Sequence, residues 1–358
     1  MYPFREGSFA VHNAWYIAAF AEDVTRTLMS RTILNQPIVL YRKENGEAVA
    51  IGGRCPHRHF PLGKGCLTGD TVVCGYHGIA FGPDGKCTDI PSQRFVPPTY
   101  RIPTYPLVEH GMWLWIWPGD PEKADVALLP DLEEIGYTEA DMLAKPFYTH
   151  EVRCRYQLLN DNLLDLSHLA FLHGTSIGTR ENASTPEELS KRPGFLSSRR
   201  YIRNAPLPAL TSTRADTEGG EGREGGTGPG VLMDRVIGMD FYLPGFHAGL
   251  TIQSYPEGHE SAGQRLHYSR VYHAVTPATP DTCYYFFGMS SPKGEGLDRA
   301  KDLLVPVIAE DIFASEEIEK MLKLVGYPSE LMNKSDQNAV EGRRMLQKMM
   351  DEEGARRE

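Results

Sequence analysis

From residue 8 to about residue 118, short apolar runs alternate with turn residues, a pattern that predicts small β-strands. Ile38-Val39-Leu40-Tyr41 and Ala48-Val49-Ala50-Ile51 are compact β-prone runs, and Glu44-Asn45-Gly46-Glu47 supplies a turn between them. Phe81-Gly82-Pro83-Asp84-Gly85-Lys86 is a second hairpin signal. Met112 to Trp117 reads as a strand that closes the region, and Pro118-Gly119-Asp120 ends it. Beyond residue 119, longer segments with helical periodicity mix with strands, among them Gly249 to Tyr255 and Cys283 to Gly288. The last forty or so residues predict helix with a charged tail. The expected organisation is therefore α+β: an all-β domain over residues 1–118 and an α+β domain over 119–358.

Between Ser176 and Gly230 the chain is polar and irregular, which predicts a surface loop. Its Asp216 to Gly226 segment is too rich in glycine and charge to supply a core and is expected to be mobile. A lid over a pocket is the functional alternative.

Composition narrows the class. The 358 residues are long enough for two cores, and 41% hydrophobic with 23% charged residues is ordinary for a soluble protein. A formal net charge of −10 argues against nucleic acid as a partner, which needs a basic face. No apolar run approaches the ~20 residues that span a bilayer, and Met1 to Glu6 lacks a signal-peptide layout, so the expected compartment is the cytoplasm. Cys66, Cys87, Cys154 and Cys283 form no paired motif and are expected to be free thiols.

The chemistry concentrates in two places. In the first, Cys55-Pro56-His57 and Cys74-Gly75-Tyr76-His77 each offer one thiolate and one imidazole, and sixteen residues separate them. That set suits a two-iron, two-sulfide cluster with one cysteine-held and one histidine-held iron. A structural Cys2His2 zinc site is the rival, although zinc modules usually pair cysteine with cysteine and histidine with histidine. In the second, Asn160 to Gly174 carries no helix breaker, so a helix is predicted up to Gly174. Asp165 and His168 are then neighbours on one face, whereas His173 lies roughly 140° away from His168 and can share a metal only if the last turn bends. Further on, Leu304, Val307, Ile308, Ile318 and Leu322 form an apolar stripe with Asp311 near its middle. A carboxylate facing a core is costly unless it is paired or bound to a metal. Glu310, Glu316 and Glu317 project elsewhere on this helix, Glu319 is the fallback acid, and Pro306 either starts the helix or kinks it.

Both motifs resemble a known family. Cys55-Pro56-His57-Arg58 and Cys74-Gly75-Tyr76-His77-Gly78 resemble the cluster loops of Rieske proteins. The additional cysteines of the respiratory members are replaced by Phe60 and Tyr76, so the likeness is to the Rieske domains of aromatic-ring oxygenases and their ferredoxins. Asn162-x-x-Asp165-x-x-His168-x4-His173 is similar to the mononuclear-iron motif of those oxygenases, and Asn13 to Ala18 resembles the start of their α-subunits in the vanillate O-demethylase class.

The resemblance implies a Rieske domain followed by a helix-grip-like catalytic domain. It implies a [2Fe-2S] cluster on Cys55, His57, Cys74 and His77, and an Fe(II) facial triad of His168, His173 and Asp311. Asp165 and Asn162 take catalytic roles by the same likeness, Asp165 bridging His168 to His77 of a neighbouring subunit in a head-to-tail homotrimer. O2 is the co-substrate. Electrons come from NADH or NADPH through a separate reductase, possibly with a ferredoxin, because the chain has no Gly-x-Gly-x-x-Gly fingerprint between a predicted strand and a helix; its one such string, Gly220 to Gly225, lies in the polar, irregular stretch. The implied reaction is O-demethylation of a methoxylated aromatic acid, vanillate-like or a lignin-derived biphenyl such as dehydrodivanillate, to a phenol and formaldehyde. His273 matches a substrate-contacting histidine of dicamba-type members; where those carry an asparagine and a tryptophan, this chain has Leu250 and Asp302. Tyr285, Phe286 and Phe287 are candidates for stacking on an aromatic ring, with core packing as the alternative. Oxidation of another aromatic compound, and an electron-transfer protein without catalysis, are the competing functions; a ferredoxin would end near residue 118.

Overall fold

A computed structural model describes residues 3–210 and 232–355. The Asp216 to Gly226 segment lies outside them. The N-terminal region is all-β, as the turn spacing predicts. Strands β1 (Tyr16–Phe20), β9 (Leu107–His110) and β10 (Trp113–Ile116) form one antiparallel sheet with β10 central. β2 (Met29–Ile33), β3 (Gln36–Arg42) and β4 (Ala48–Gly52) form a second. Gly46 turns between β3 and β4 at φ +87°, a value that favours glycine. The third sheet is small: β5 (Cys66–Thr68), β6 (Thr71–Val73), β7 (Ala80–Phe81) and β8 (Cys87–Asp89).

The second region is built on one seven-stranded antiparallel sheet. Its strands are β11 (Met142–Val152), β12 (Glu188–Arg192), β13 (Phe195–Pro206), β14 (Leu232–Tyr242), β15 (Phe246–Ser254), β16 (Arg265–Thr279) and β17 (Thr282–Pro292). They run in the order β11-β17-β16-β15-β14-β13-β12. On one face lie helices α1 (Tyr156–Leu164), the short α2 (Glu181–Ser184), α3 (Leu297–Val325) and α4 (Gln337–Ala355). The other face receives the N-terminal region. Trp113 and Trp115 of β10 meet Phe246 at ring-centroid distances of 5.2 and 5.3 Å, and Trp113 meets Tyr272 at 5.3 Å. Leu114 and Ile116, on the reverse of β10, join a different cluster with Tyr16 and Leu40. Burial on both faces explains why β10 is a continuous apolar run rather than an alternating one.

Three expectations need correction. The stretch from Ser176 is not one long loop, because β12 and all of β13 fall inside it. β13 reads as polar because several buried residues are hydrophilic but paired: Ser197 Oγ donates to Asp240 at 2.6 Å, and Arg200 meets Glu187 at 3.0 Å. The helix expected up to Gly174 ends at Leu164. Asp165 leaves helical geometry and its carboxylate accepts from Ser167 N–H at 2.9 Å, starting a separate 3-10 turn over Leu166–Ala170. On α3 the buried face runs through Asp311, Ser315, Glu319 and Leu322, which leaves Ile318 47% exposed. α3 starts at Leu297, and Pro306 lies within it.

Candidate metal centres

The first centre sits at the tip of the N-terminal region. Its two loops share one hydrogen-bond plan. Cys55 N–H donates to Phe60 C=O and His59 N–H returns to Cys55 C=O; Cys74 N–H donates to Ile79 C=O and Gly78 N–H returns to Cys74 C=O. The fourth residue after each cysteine has positive φ, +60° at His59 and +72° at Gly78. Each loop therefore folds its cysteine inward and its histidine outward. Both thiols are buried and unbridged, whereas His57 and His77 are exposed with ring centroids 4.6 Å apart. Burial, followed by the facing Cys74 thiol, pushes the Cys55 thiol up from its ordinary value. Two facing sulfurs below two imidazoles match the donor chemistry of a Rieske cluster. Phe60 and Tyr76, the positions of the additional cysteines in respiratory members, are in ring contact at 5.9 Å.

The second centre lies between the large sheet and its helices. The break at Asp165 and the turns after it bring His173 round beside His168, so ligating atoms of His168, His173 and Asp311 lie within 4.8 Å of one another. His173 Nε2 is 2.9 Å and His168 Nε2 3.5 Å from Asp311 Oδ1. The outer nitrogens are engaged: His168 Nδ1 meets the Asp165 main-chain oxygen at 2.5 Å, and His173 Nδ1 meets Glu310 Oε2 at 2.6 Å. These outer contacts fix the two rings with both Nε2 atoms turned toward Asp311, the orientation a shared metal requires. Asn162 Nδ2 donates to Asp311 Oδ1 at 3.1 Å. Burial alone would raise the Asp311 carboxyl, but His168 and His173 outweigh it and hold it well below the usual carboxylate range. The donor set, two imidazoles and one carboxylate with no fourth protein ligand among the described residues, fits a facial triad.

Glu310 does not project elsewhere, as the helical stripe suggests; the bend after Asp165 carries His173 to it. Glu319 is no fallback ligand. It is buried against Arg155, with Arg155 Nε to Glu319 Oε2 at 2.7 Å and NH2 to Oε1 at 2.8 Å. The contact between Asp165 and His168 comes from the main chain, while the Asp165 carboxylate holds Ser167 N–H and lies 3.4 Å from Ser335 Oγ.

The centre opens on a cavity of about 230 Å³ whose floor is the inward face of β14 to β17. His273 lines it, with Nδ1 2.7 Å from Tyr285 OH, and burial lowers its pKa to about 4, so the ring is neutral at pH 7. Of the aromatic candidates, Phe287 lines the cavity, Tyr285 supports His273 from behind, and Phe286 faces the other side of the sheet against Phe20. Leu250 lines the cavity, whereas Asp302 is exposed. Sequence reasoning missed Arg235 and Gln253, both buried cavity residues. Arg235 falls in phase with Met233, Ile237 and Phe241 along β14, and that alternation is the signal that could have found it.

Comparison with known proteins agrees with this geometry. Residues 14–106 match the Rieske [2Fe-2S] domain, and residues 152–352 match the vanillate O-demethylase oxygenase C-terminal domain. The dicamba O-demethylase oxygenase component of Stenotrophomonas maltophilia is 32% identical over 331 residues, 87% of this chain and 88% of that protein. A toluene-4-sulfonate monooxygenase iron-sulfur subunit of Comamonas testosteroni is 42% identical over 177 residues, so this chain matches only about half the length of that relative. The crystal structure of dicamba monooxygenase bound to 3,6-dichlorosalicylic acid superposes with a TM-score of 0.84 at 28% identity, covering 97% of this chain and all of the other. The chain belongs to the Rieske oxygenases, in the branch defined by the vanillate O-demethylase oxygenase C-terminal domain. Among the described residues, no helix is long and apolar enough to cross a membrane.

Proposed function

We propose that this chain is a terminal oxygenase component that O-demethylates a methoxylated aromatic acid, vanillate-like or a lignin-derived biphenyl such as dehydrodivanillate, giving a phenol and formaldehyde. The observation that carries the reading is the cavity itself, which has the His168–His173–Asp311 group at one end and is walled by apolar residues such as Leu163, Met239 and Val271. In this proposal Cys55, His57, Cys74 and His77 hold the [2Fe-2S] cluster, and His168, His173 and Asp311 hold Fe(II). When bound, the two groups supply single-electron transfer and reductive activation of O2.

The chain's own residues do the positioning. Glu310 and the Asp165 carbonyl fix the two imidazole rings, and Asn162 fixes the carboxylate of Asp311. The apolar wall excludes water and accepts the aromatic ring. His273, neutral and tied to Tyr285, can exchange a hydrogen bond with the substrate without bringing a charge into the cavity. The exposed His57 and His77 edge is where electrons enter and leave. The partners are a separate reductase, possibly with a ferredoxin, and two further copies of the chain in a homotrimer, in which Asp165 links His168 to His77 of the adjacent copy.

The toluene-4-sulfonate relative favours one second reading, oxidation of another aromatic compound without demethylation. Oxygen uptake and formaldehyde release across methoxylated aromatic acids, driven by a surrogate reductase, separate the two. Formaldehyde in step with O2 supports the demethylase; a hydroxylated product with no formaldehyde from any methoxyarene overturns it.

A further inference from the structure

The inward face of the large sheet is graded from one end of the cavity to the other. Strand pairing aligns Phe241, His247, His273 and Phe287 in one row, and His273 and Phe287 of this row line the cavity. The next inward row is Met239, Gly249, Val271 and Met289, which is apolar. Then come Ile237, Thr251 and Ser269, and finally Arg235, Gln253 and His267. Arg235 and Phe241 are six residues apart on β14, so the first and last rows are separated by about 20 Å of strand. Beyond the apolar Met239 row, polarity therefore rises toward Arg235.

Arg235 is 3% exposed, and its charge is poorly matched. One terminal nitrogen donates to Thr179 Oγ1 at 2.6 Å, and the nearest carboxylate among the described residues, Glu181, stands 3.9 Å away and is one-third exposed. Among the described residues, Arg235 Nε has no hydrogen-bond partner, and neither has Gln253 Oε1 in the same row. Leaving a buried guanidinium N–H unpaired is costly, and the usual remedy is an oxyanion that takes the planar fork through two hydrogen bonds. Burial lowers the Arg235 pKa from its ordinary value, with Glu181 only partly opposing it.

We propose that Arg235 binds the oxyanion of the substrate, a carboxylate or a sulfonate, at the end of the cavity remote from His168, His173 and Asp311. Gln253 stands beside it in register, and turning its amide over presents N–H to the same anion in place of the unpartnered Oε1. The anchor holds the aromatic ring over the apolar rows and aims the opposite substituent at the histidines. This assignment rests on the reading of the cavity as a substrate site and adds the class of group that selects the substrate.

Calorimetric binding to the holoenzyme tests it without turnover, using 4-methoxybenzoate, 4-methoxybenzenesulfonate and methyl 4-methoxybenzoate. The wild type is expected to bind at least one anion about 10- to 100-fold tighter than the neutral ester, and which anion wins distinguishes the two sources. Arg235→Gln should erase that preference and leave ester binding unchanged. Equal affinity of the wild type for anions and ester overturns the proposal, as does a preference that survives Arg235→Gln. If Arg235→Gln does not fold, Arg235→Lys, which keeps the charge but loses the fork, should weaken the favoured anion selectively, and unaltered selectivity counts against the assignment. Formaldehyde assays fail separately: intact anion selectivity without formaldehyde removes the demethylase reading and leaves the anchor.

Discussion

The two histidine pairs of this protein have opposite surroundings. His57 and His77 are exposed at the tip of the N-terminal region, above two buried sulfurs. His168 and His173 lie beside a cavity, and a carbonyl and a carboxylate grip their outer nitrogens. An electron relay needs its edge near a partner, whereas oxygen chemistry needs a site that admits substrate and little water. The difference also lies in how each pair is held. Main-chain hydrogen bonds within two short loops shape the first, while side chains from distant parts of the chain shape the second.

That contrast can be broken in several ways, beginning with the largest effect. Asp311→Asn should empty the buried centre and abolish product formation while the visible spectrum of the cluster stays unchanged. Iron analysis beside the spectrum checks this, and loss of both metals together would show that the two centres are not independent. Asp165→Asn should leave both metals bound while substrate-coupled O2 uptake falls by at least about 100-fold; unaltered coupled turnover would remove Asp165 from the path between centres. Glu310→Gln should weaken iron binding at the buried centre by about 10- to 100-fold, the usual cost of losing an outer hydrogen bond to a ligating histidine. Titration with a chelator reads this, and an unchanged affinity would reduce Glu310 to a surface contact.

Glu319→Ala should act on stability instead, costing about 3–5 kcal/mol because it strands Arg155, with iron content per folded chain preserved. Urea denaturation measures the first part and metal analysis the second. The smallest effect concerns acid. His247 and His273 are buried and their pKa values fall below the ordinary 6.5, to about 4 for His273. Below pH 6.5 the unfolded chain takes up protons that the folded chain refuses, so this contribution to stability is complete above pH 6.5 and declines as pH drops toward 4. A urea midpoint that does not move between pH 7.5 and pH 5 would contradict neutral burial of both rings.

What was legible in the chain follows from how local each feature is. The proposed cluster ligands sit in two short loops whose spacing is itself the signal, and the turn residues around them mark the small strands. Asp311 was legible as a charge in an apolar stripe. Glu310 was not, because its role depends on the turn after Asp165, which helix rules alone do not foresee. β13 was misread because Ser197 and Arg200 look solvent-facing until their partners, Asp240 and Glu187, are brought beside them. Arg235 hid in the same way among the charged residues of Asp234-Arg235, with only its phase relative to Met233 and Ile237 to betray it.

β15 and β16 send alternate residues to opposite sides: Phe246 and Tyr272 press on Trp113, while His247 and His273, one position along each strand, face the helices. The two halves of the protein thus share a single thin wall, and nothing on one side of it can be reshaped without nudging the other. Enlarging the catalytic chamber by trimming side chains on β15 or β16 is expected to loosen the seat of the electron-carrying half, so variants selected for bulkier substrates should gain capacity at the expense of coupling.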